Sequence, residues 1–461
     1  MNPKLEVFKK KIQDKEIAVI GIGISNTPLI QFLIQLGAKV SAFDKKTKEQ
    51  LAEQYDALKK LGVTLFLGEN YLSNLNHDII FKTPGMRCDV PALVAAREKG
   101  SVITSEMEVF FEMCPAQIIG VTGSDGKTTT TTLIYNILKE QGYTCWLGGN
   151  IGKPLLSEVE QIKAEDKVVL ELSSFQLHTM KASPDIAVVT NITPNHLDVH
   201  ISMQEYIDAK KNIFFYQSQL GKLVINRDND ITRSFEKEAI GDSLFFSRLS
   251  DKKEGVFIQD DVIYVNDIQH PVMKTTDIVL PGVHNVENYM AAIGAVHEMV
   301  EVESIQKVAT TFSGVPHRIE LVREINGVRF YNSSIDSSPH RTSATLNTFD
   351  QKIILIAGGK DKNIPYDTLG KLLIEKVKCL VLIGPTSVKI EKALQDEFER
   401  MGKKIDLPIY HCDSYEEVVK TAYDYAKSSD VVVLSPASTS FDRFKNFEER
   451  GNLFKEIVKR L

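Results

Sequence analysis

The sequence predicts an α/β protein of three domains, each a mostly parallel sheet with helices on its faces. Three observations predict it. Strand-length apolar runs recur along the chain, each followed by a turn and then by apolar residues at helical spacing. The strand rhythm breaks twice, at TSEMEVFFEM and at FSGVPHR, which divides the chain into residues 1–106, 107–314 and 315–461. With 461 residues, 43% of them hydrophobic and 25% charged, the chain has the length for several cores and an ordinary globular composition.

In the first segment the strand runs are IAVIGIG (17–23), KVSAF (39–43) and HDIIFKTPG (77–85). PLIQFLIQLG and EQLAEQYDALKKLG lie between them with helical periodicity, so the segment reads as Rossmann-like. The central segment runs QIIGVTG (117–123), YTCWLGGN (143–150), KVVLELSS (167–174), DIAVVTNI (185–192) and KLVINRD (222–228). SLFFS, GVFIQ and VIYVN then read as short hairpin-like strands, a small antiparallel addition to a mostly parallel sheet. The third segment has KIILIAGG (352–359), CLVLIGP (379–385) and VVVLSPAS (431–438), again Rossmann-like.

Fifty-five basic residues against 61 acidic ones, a net charge of −6, lack the surplus expected of a nucleic-acid binder. A local basic cluster can still bind an anionic small molecule. Cys88, Cys114, Cys145, Cys379 and Cys412 are widely spaced, with no C-x-x-C pair, which favours a reducing compartment over a disulfide framework or zinc module. No run approaches the roughly 20 apolar residues of a membrane span, and the N-terminus lacks a signal-type apolar core. The expectation is a cytoplasmic protein, monomeric, with no nucleic-acid or membrane partner.

GVTGSDGKTTTTT (120–132) carries the strongest chemical signal. A glycine-rich turn between strand and helix lets backbone N–H groups converge on phosphate oxygens, and the helix N-terminus adds its dipole. Gly123, Ser124, Asp125 and Gly126 would form that turn; Lys127 would reach the β- and γ-phosphates, Thr128 would hold Mg2+, and Thr129 would support the loop. Thr130, Thr131 and Thr132 read as ordinary helix positions. The common loop G-x-x-x-x-G-K-[ST] needs glycine at 121, where this chain has Val121; its glycines fall at 120, 123 and 126. By itself the loop does not separate a kinase, a GTPase or a ligase.

Other residues are less specific on sequence alone. Glu171 ends an apolar strand, at the carboxyl edge where open α/β sheets place ligands, but an exposed strand-end carboxylate reads the same way. His196 and His200 have i, i+4 spacing, yet Leu197 breaks the zinc-protease motif. Lys210 and Lys211 are not distinguished. In GIGISN, Asn26 stands where a dinucleotide fingerprint wants glycine or alanine, so a nicotinamide-binding reading is weak although Asp44 follows at about the right distance.

The G-x-x-G-x-x-G-K-T spacing resembles the loop of the ATP-dependent Mur ligases and the related folylpolyglutamate synthetases. GGNIGKP (148–154), ELSSFQL (171–177), NITPNHLDVH (191–200), YIDAKKNIF (206–214), GVHNVENYMAA (282–292) and FSGVPHRIE (312–320) resemble that family's motifs in its order. LSPASTSFDRFKNFEERGNLF (434–454) resembles the C-terminal signature of its D-glutamate-adding members, and IAVIGIGISN and KTPGM their UDP-binding domain. The resemblance covers nearly the whole chain. It implies a three-domain fold with a P-loop-type ATPase centre, and ATP-dependent joining of D-glutamate to UDP-N-acetylmuramoyl-L-alanine (UDP-MurNAc-L-alanine) in peptidoglycan precursor synthesis. The family's route is an acyl phosphate, because a carboxylate oxygen is a poor leaving group until it is phosphorylated.

The resemblance also implies residue roles. Glu171 joins Thr128 as a Mg2+ ligand, His196 binds a second Mg2+, and Lys210, picked by the A-K-x-x-I pattern, is the lysine that becomes carbamylated. Carbamylation turns a cation into an anion able to neutralise Mg2+. Asn150 contacts the UDP-linked substrate near the reacting centre; His200, to which the resemblance assigns no role, is read as structural. Asn285, Asn288 and Arg318 hold the base and ribose of ATP. Lys362, Ser440 and Phe447 hold D-glutamate, while Gly23, Ile24, Ser25, Asp44, Thr83, Pro84 and Gly85 hold the uridine diphosphate.

One segment departs from the family. NSSIDSSP (332–339) stands where many members have N-D-S-K-A-T-N-P, so Ser333 replaces an aspartate, Ile335 a lysine and Ser337 a threonine. Asp336 is a displaced candidate for the lost carboxylate, and His340 and Arg341 are candidates to restore the charge. The alternatives are a sister ligase adding another amino acid, folylpolyglutamate synthesis, or a non-catalytic nucleotide-binding protein.

Overall fold

The computed structural model describes residues 3–23, 26–194, 199–361, 364–402, 404 and 406–461. Two compact units are present, Met1–Thr311 and Phe312–Leu461. The first contains two sheets. Strands β1 (Glu16–Ile20), β2 (Lys39–Asp44), β3 (Thr64–Leu67), β4 (Ile79–Phe81) and β5 (Val102–Thr104) form a parallel sheet in the order β3-β2-β1-β4-β5. The inner strands are buried on both faces, which is why they read as continuous apolar runs rather than alternating ones.

The second sheet comprises β6 (Gln117–Thr122), β7 (Cys145–Gly149), β8 (Lys167–Glu171), β9 (Ile186–Val189), β10 (Lys222–Asn226), β11 (Asp242–Ser247), β12 (Val256–Gln259), β13 (Val262–Val265) and β14 (Asp267–Lys274). Their order is β14-β13-β12-β11-β10-β9-β6-β8-β7. The hairpin reading of SLFFS is corrected here: β11 pairs parallel with both β10 and β12, and only β12–β13–β14 is antiparallel. SLFFS is short, but its Phe245 and Phe246 are buried, so it extends the parallel core.

One hydrophobic cluster runs through both sheets of this unit. Leu5, Phe8 and Ile12 of the first helix (Pro3–Ile12) join it, as do Met107 and Phe110 of Glu106–Met113 and Leu155 and Leu170 of the central segment. The break at TSEMEVFFEM is therefore a helix that links two sheets through shared core. Ser105 caps it, accepting a hydrogen bond from the Glu108 N–H.

In the second unit β15 (Glu320–Ile325), β16 (Val328–Asn332), β17 (Ile353–Ala357), β18 (Val377–Ile383), β19 (Ile409–Cys412) and β20 (Val431–Leu434) form a sheet in the order β15-β16-β20-β17-β18-β19. All pairs are parallel except the β15–β16 hairpin. Separate apolar clusters cover its two faces. Among the described residues, no helix is long and apolar enough to cross a membrane.

Glu106 sits inside the shared core, its carboxylate accepting one hydrogen bond from the Leu156 N–H. Burial pushes its carboxyl up to about 7 from 4.5, against the opposing pull of that bond. Protonated Glu106 is thus favoured by folding, and the stability it contributes is lost as pH rises from 4.5 to about 7. Glu106→Gln, which keeps the shape without the charge, should raise the melting temperature by about 2 °C or more at pH 8 relative to its effect at about pH 4, where both states are protonated. A difference that does not vary with pH would contradict this placement.

Candidate active site

The phosphate-type loop leaves β6 at Thr122 and enters the helix Lys127–Glu140. Gly120 belongs to β6 itself, so of the three evenly spaced glycines only Gly123 and Gly126 shape the turn. Gly126 is the helix N-cap with φ 78°, and a Cβ there would stand 2.3 Å from Asn288 Oδ1. At Gly123, with φ 149°, a Cβ would stand 1.9 Å from Thr190 Oγ1. Both positions exclude any side chain.

The turn is clipped to the segment after β9. Ser124 N–H donates to Asn191 O at 2.8 Å, Asp125 N–H donates to Asn191 Oδ1 at 3.0 Å, and Thr190 Oγ1 donates to Asp125 O at 2.5 Å. Lys127 Nζ lies over the loop, donating to Gly123 O at 2.9 Å and Ser124 O at 2.8 Å. Thr128 and Thr129 occupy the helix's first turn. Thr131 and Thr132 bond back to the carbonyls of Lys127 and Thr128, as helix threonines do. Thr130 is more than an ordinary helix position: it is fully buried and its hydroxyl donates to Asn288 Oδ1.

Glu171 ends β8 beside the loop and is only 2% exposed, which removes the exposed-carboxylate reading. Asn150 Nδ2 donates to its Oε1 at 2.8 Å, and the Asn150 N–H donates to its carbonyl. Oε2 is buried with no hydrogen-bond partner among the described residues. An unpaired buried carboxylate oxygen costs about 1–3 kcal/mol or more, a cost that a cation would relieve. Asn150, expected at the substrate, in this structure orients Glu171.

Lys210 and Lys211 part company completely. Lys211 points outward to Glu238 at 2.7 Å. Lys210, 1% exposed, donates to Gly123 O at 2.8 Å and Thr122 Oγ1 at 3.2 Å, its Nζ 4.8 Å from the Tyr206 ring centre. Burial, aided by the nearby charge of Lys127, holds its ammonium well below the usual lysine range, while Glu171 and Asp125 oppose the shift. Tyr206, which the sequence reading passed over, places its hydroxyl 2.9 Å from Ser124 Oγ.

Asn288 Nδ2 donates to Asn285 Oδ1 at 3.0 Å, and Asn285 Nδ2 to Pro281 O. Beside them a cavity of about 110 Å3 is lined by Gly126, Asn191, Phe246, His284, Glu287 and Asn288. A second cavity, about 260 Å3, opens above β1 and β4 between Gly21, Gly23, Asn26, Asp44, Lys46 and Thr83-Pro84. Asp44 is tied down there, accepting the N–H groups of Ile22 at 2.6 Å and Lys46 at 2.8 Å. Gly85 follows in the same turn. His200 is buried, 3.0 Å from Ser174 Oγ, and stacks on Phe175. Of the expected site residues, Ile24, Ser25, His196 and Lys362 lie outside the described residues.

In the second unit, Arg318 sits between His317 (φ 64°) and Ile319 (φ 47°), left-handed backbone that costs roughly 1–3 kcal/mol per residue and marks functional turns. His317 Nδ1 accepts from Asn332 Nδ2 at 3.0 Å, and a Cβ on Gly451 would stand 2.2 Å from it. The FKNFEERG signature therefore packs against the PHR motif. Its Arg450, 1% exposed and unremarked in the sequence, donates to Ser334 Oγ, Ser334 O and Ser438 O. Phe447 opens the last helix (Phe447–Arg460), its carbonyl accepting from Ser334 Oγ, and Ser440 is buried nearby in sequence to Ser438.

The NSSIDSSP turn resolves into a closed network. Ser333 Oγ accepts from the Ile319 N–H and lies 3.3 Å from Thr345 Oγ1. Asp336 accepts from Thr345 Oγ1 at 2.6 Å and Ser435 Oγ at 2.7 Å. It is buried, and burial raises its carboxyl above the usual range, with those bonds and Arg318 opposing the rise. Asp336 therefore braces the turn rather than presenting a carboxylate outward. Arg341 is exposed, reaching Ile335 O at 3.4 Å.

Models of known families match all three parts of the chain: the Mur ligase MurD-like N-terminal domain at 15–105, the Mur ligase middle domain at 121–296, and the Mur ligase glutamate ligase domain at 317–438. The UDP-N-acetylmuramoylalanine–D-glutamate ligase of Acetivibrio thermocellus is 63% identical over 461 residues, covering 99% of both chains. That of Ruminiclostridium cellulolyticum is 58% identical over the whole of both. Among solved structures, UDP-N-acetylmuramate-alanine ligase of Thermotoga maritima has the same fold at 20% identity, with a TM-score of 0.56 over 97% of this chain and 99% of that one. Sequence likeness end to end, three domain models in order and the shared three-sheet architecture agree: the chain belongs to the Mur ligase family.

Proposed function

We propose that the chain joins D-glutamate to UDP-N-acetylmuramoyl-L-alanine with hydrolysis of ATP to ADP and phosphate, through an acyl phosphate. The observation that carries this reading is full-length identity of 63% to a ligase of that name. Residues 1–106 take the UDP-linked substrate, 107–314 ATP, and 315–461 the amino acid. The 260 Å3 cavity at Gly23, Asp44 and Thr83–Gly85 suits the uridine diphosphate, with Lys46 supplying positive charge at its edge. The 110 Å3 cavity beside Asn285 and Asn288 suits the adenine of ATP. Ser440, Phe447 and Lys362 take D-glutamate, with Arg450 holding the Ser438 backbone that leads to Ser440.

The chemistry is mainly positioning and charge neutralisation. The first turn of Lys127–Glu140 brings a helix N-terminus and its dipole to the phosphates, while the Ser124 and Asp125 N–H groups hold the loop's shape against Asn191, and Lys127 adds a cation at the loop mouth. Glu171, whose Oε2 has no hydrogen-bond partner among the described residues, fits a cation site with Thr128, His196 and a carbamylated Lys210. Mg2+ bound there, as two ions in the family's manner, would neutralise charge on the transferring phosphoryl group. The γ-phosphoryl group passes to the substrate carboxylate. The amine of D-glutamate then attacks the acyl carbon, the amide bond forms and inorganic phosphate leaves. Burial shifts Lys210 toward the neutral amine, the species that adds carbon dioxide.

With UDP-MurNAc-L-alanine and ATP present, D-glutamate should stimulate phosphate release above every other amino acid in a panel. Stimulation by another amino acid and not by D-glutamate would overturn the substrate assignment. Incubation with 13C-bicarbonate should give a carbamate carbon resonance in the parent protein and in Lys211→Arg. Lys210→Arg should lack it, and a resonance surviving that change would reject Lys210 as the carbamylated residue.

A further inference from the structure

Two residues with no role so far, Arg87 and Glu205, join the substrate-binding part of the first unit to its catalytic part. Arg87 lies two residues after Gly85, in the turn that borders the 260 Å3 cavity. Its guanidinium meets the Glu205 carboxylate end-on, Nη1 to Oε2 at 3.0 Å and Nη2 to Oε1 at 2.9 Å. Nη1 also donates to Val199 O at 3.2 Å, and Asp89 steadies the other edge of the fork. The pair is largely shielded, the side chains 25% and 16% exposed. A bidentate, shielded pair of this kind is geometrically selective in a way an exposed ion pair is not.

Glu205 is itself fixed from the central side. Its Oε2 accepts the Ile201 N–H at 2.8 Å and its own N–H is capped by Ser202 Oγ at 3.1 Å. Arg87 first, then that backbone bond, holds its carboxyl down at about 2, so it stays charged at any working pH. Glu205 stands in the first turn of the helix Met203–Phe215. The next residue, Tyr206, reaches Ser124 of the phosphate loop, and Lys210 on the same helix reaches Gly123. One rigid helix thus carries the Arg87 contact at one end and the loop contacts further along.

We propose that Arg87 and Glu205 form a clasp that sets the distance between the uridine-diphosphate turn and the phosphate loop, acting as positioning residues for the UDP-linked substrate. The inference rests on the proposed function, because that substrate alone must occupy the Thr83–Gly85 turn at one end and present its carboxylate to the loop at the other. ATP does not reach the Thr83–Gly85 turn. Misplacement by about 1 Å is enough to lose productive alignment.

The test measures rates with the UDP-linked substrate and ATP varied in turn, together with calorimetric binding of UDP-MurNAc-L-alanine, which needs no turnover. The proteins are the parent, Arg87→Ala, Arg87→Lys, Glu205→Gln and the Arg87→Ala/Glu205→Gln double variant. The clasp predicts that Arg87→Ala and Glu205→Gln each raise KM and Kd for the UDP-linked substrate about tenfold, with no further rise in the double variant. KM for ATP stays within about twofold, and Arg87→Lys, which keeps the charge but not the fork, falls between. Unchanged affinity for the UDP-linked substrate, additive losses in the double variant, or an equal rise in KM for ATP would each overturn the clasp. If the parent binds the UDP-linked substrate but D-glutamate does not drive turnover, the proposed function falls while the binding cycle still decides the clasp.

Discussion

The hydrogen bond from the buried Lys210 amine to the carbonyl of Gly123 is the contact on which the candidate site depends. It fixes the helix Met203–Phe215 against the back of the phosphate loop. The loop cannot yield at that point, because Thr190 fills the space where a side chain on Gly123 would stand. From this junction the rest follows outward: Tyr206 to Ser124, Asn191 to the loop backbone, and Glu205 to Arg87. Placing an amine in apolar surroundings is costly as an ammonium and much less so as a free amine, so the burial that makes the joint rigid also shifts Lys210 toward its neutral form.

Glu171 answers Lys210 across the loop. Its carboxylate is brought into the interior by β8 and aimed by Asn150, whose own position is set by the backbone bond to Glu171 O. One oxygen is satisfied and the other has no hydrogen-bond partner among the described residues. Such an arrangement costs stability, and functional sites are where local rules of polar satisfaction are expected to fail.

The three sheets were legible because buried parallel strands read as uninterrupted apolar runs, as in KVVLE, DIAVV and KIILIA. Most edge strands were not, β7 excepted: β3, β5 and β19 are short and partly exposed, and β14 contains Pro271, tolerable only because its outer side is unpaired. The β15–β16 hairpin did carry a local signal, Asn326-Gly327 with φ 51° and 80°, which a reading tuned to parallel units passed over. In the site, residue types at the loop and strand ends were legible, but environments were not. Nothing local separates Lys210 from Lys211, places Arg450 in the interior, or pairs Arg87 with Glu205 across 118 positions. Those facts arise only when distant segments meet. NSSIDSSP looked like a loss of charge, and the fold turns it into a buried brace around Asp336.

The central claim is that the loop, Glu171 and Lys210 make one site for a metal-bound nucleotide. Mn2+ binding in the presence of a non-hydrolysable ATP analogue, followed by electron paramagnetic resonance, tests it most directly. Glu171→Gln should weaken Mn2+ binding about tenfold or more while the protein still melts at the parent temperature or above, since an unpaired buried charge has been removed. Unchanged Mn2+ affinity in that variant would contradict the account.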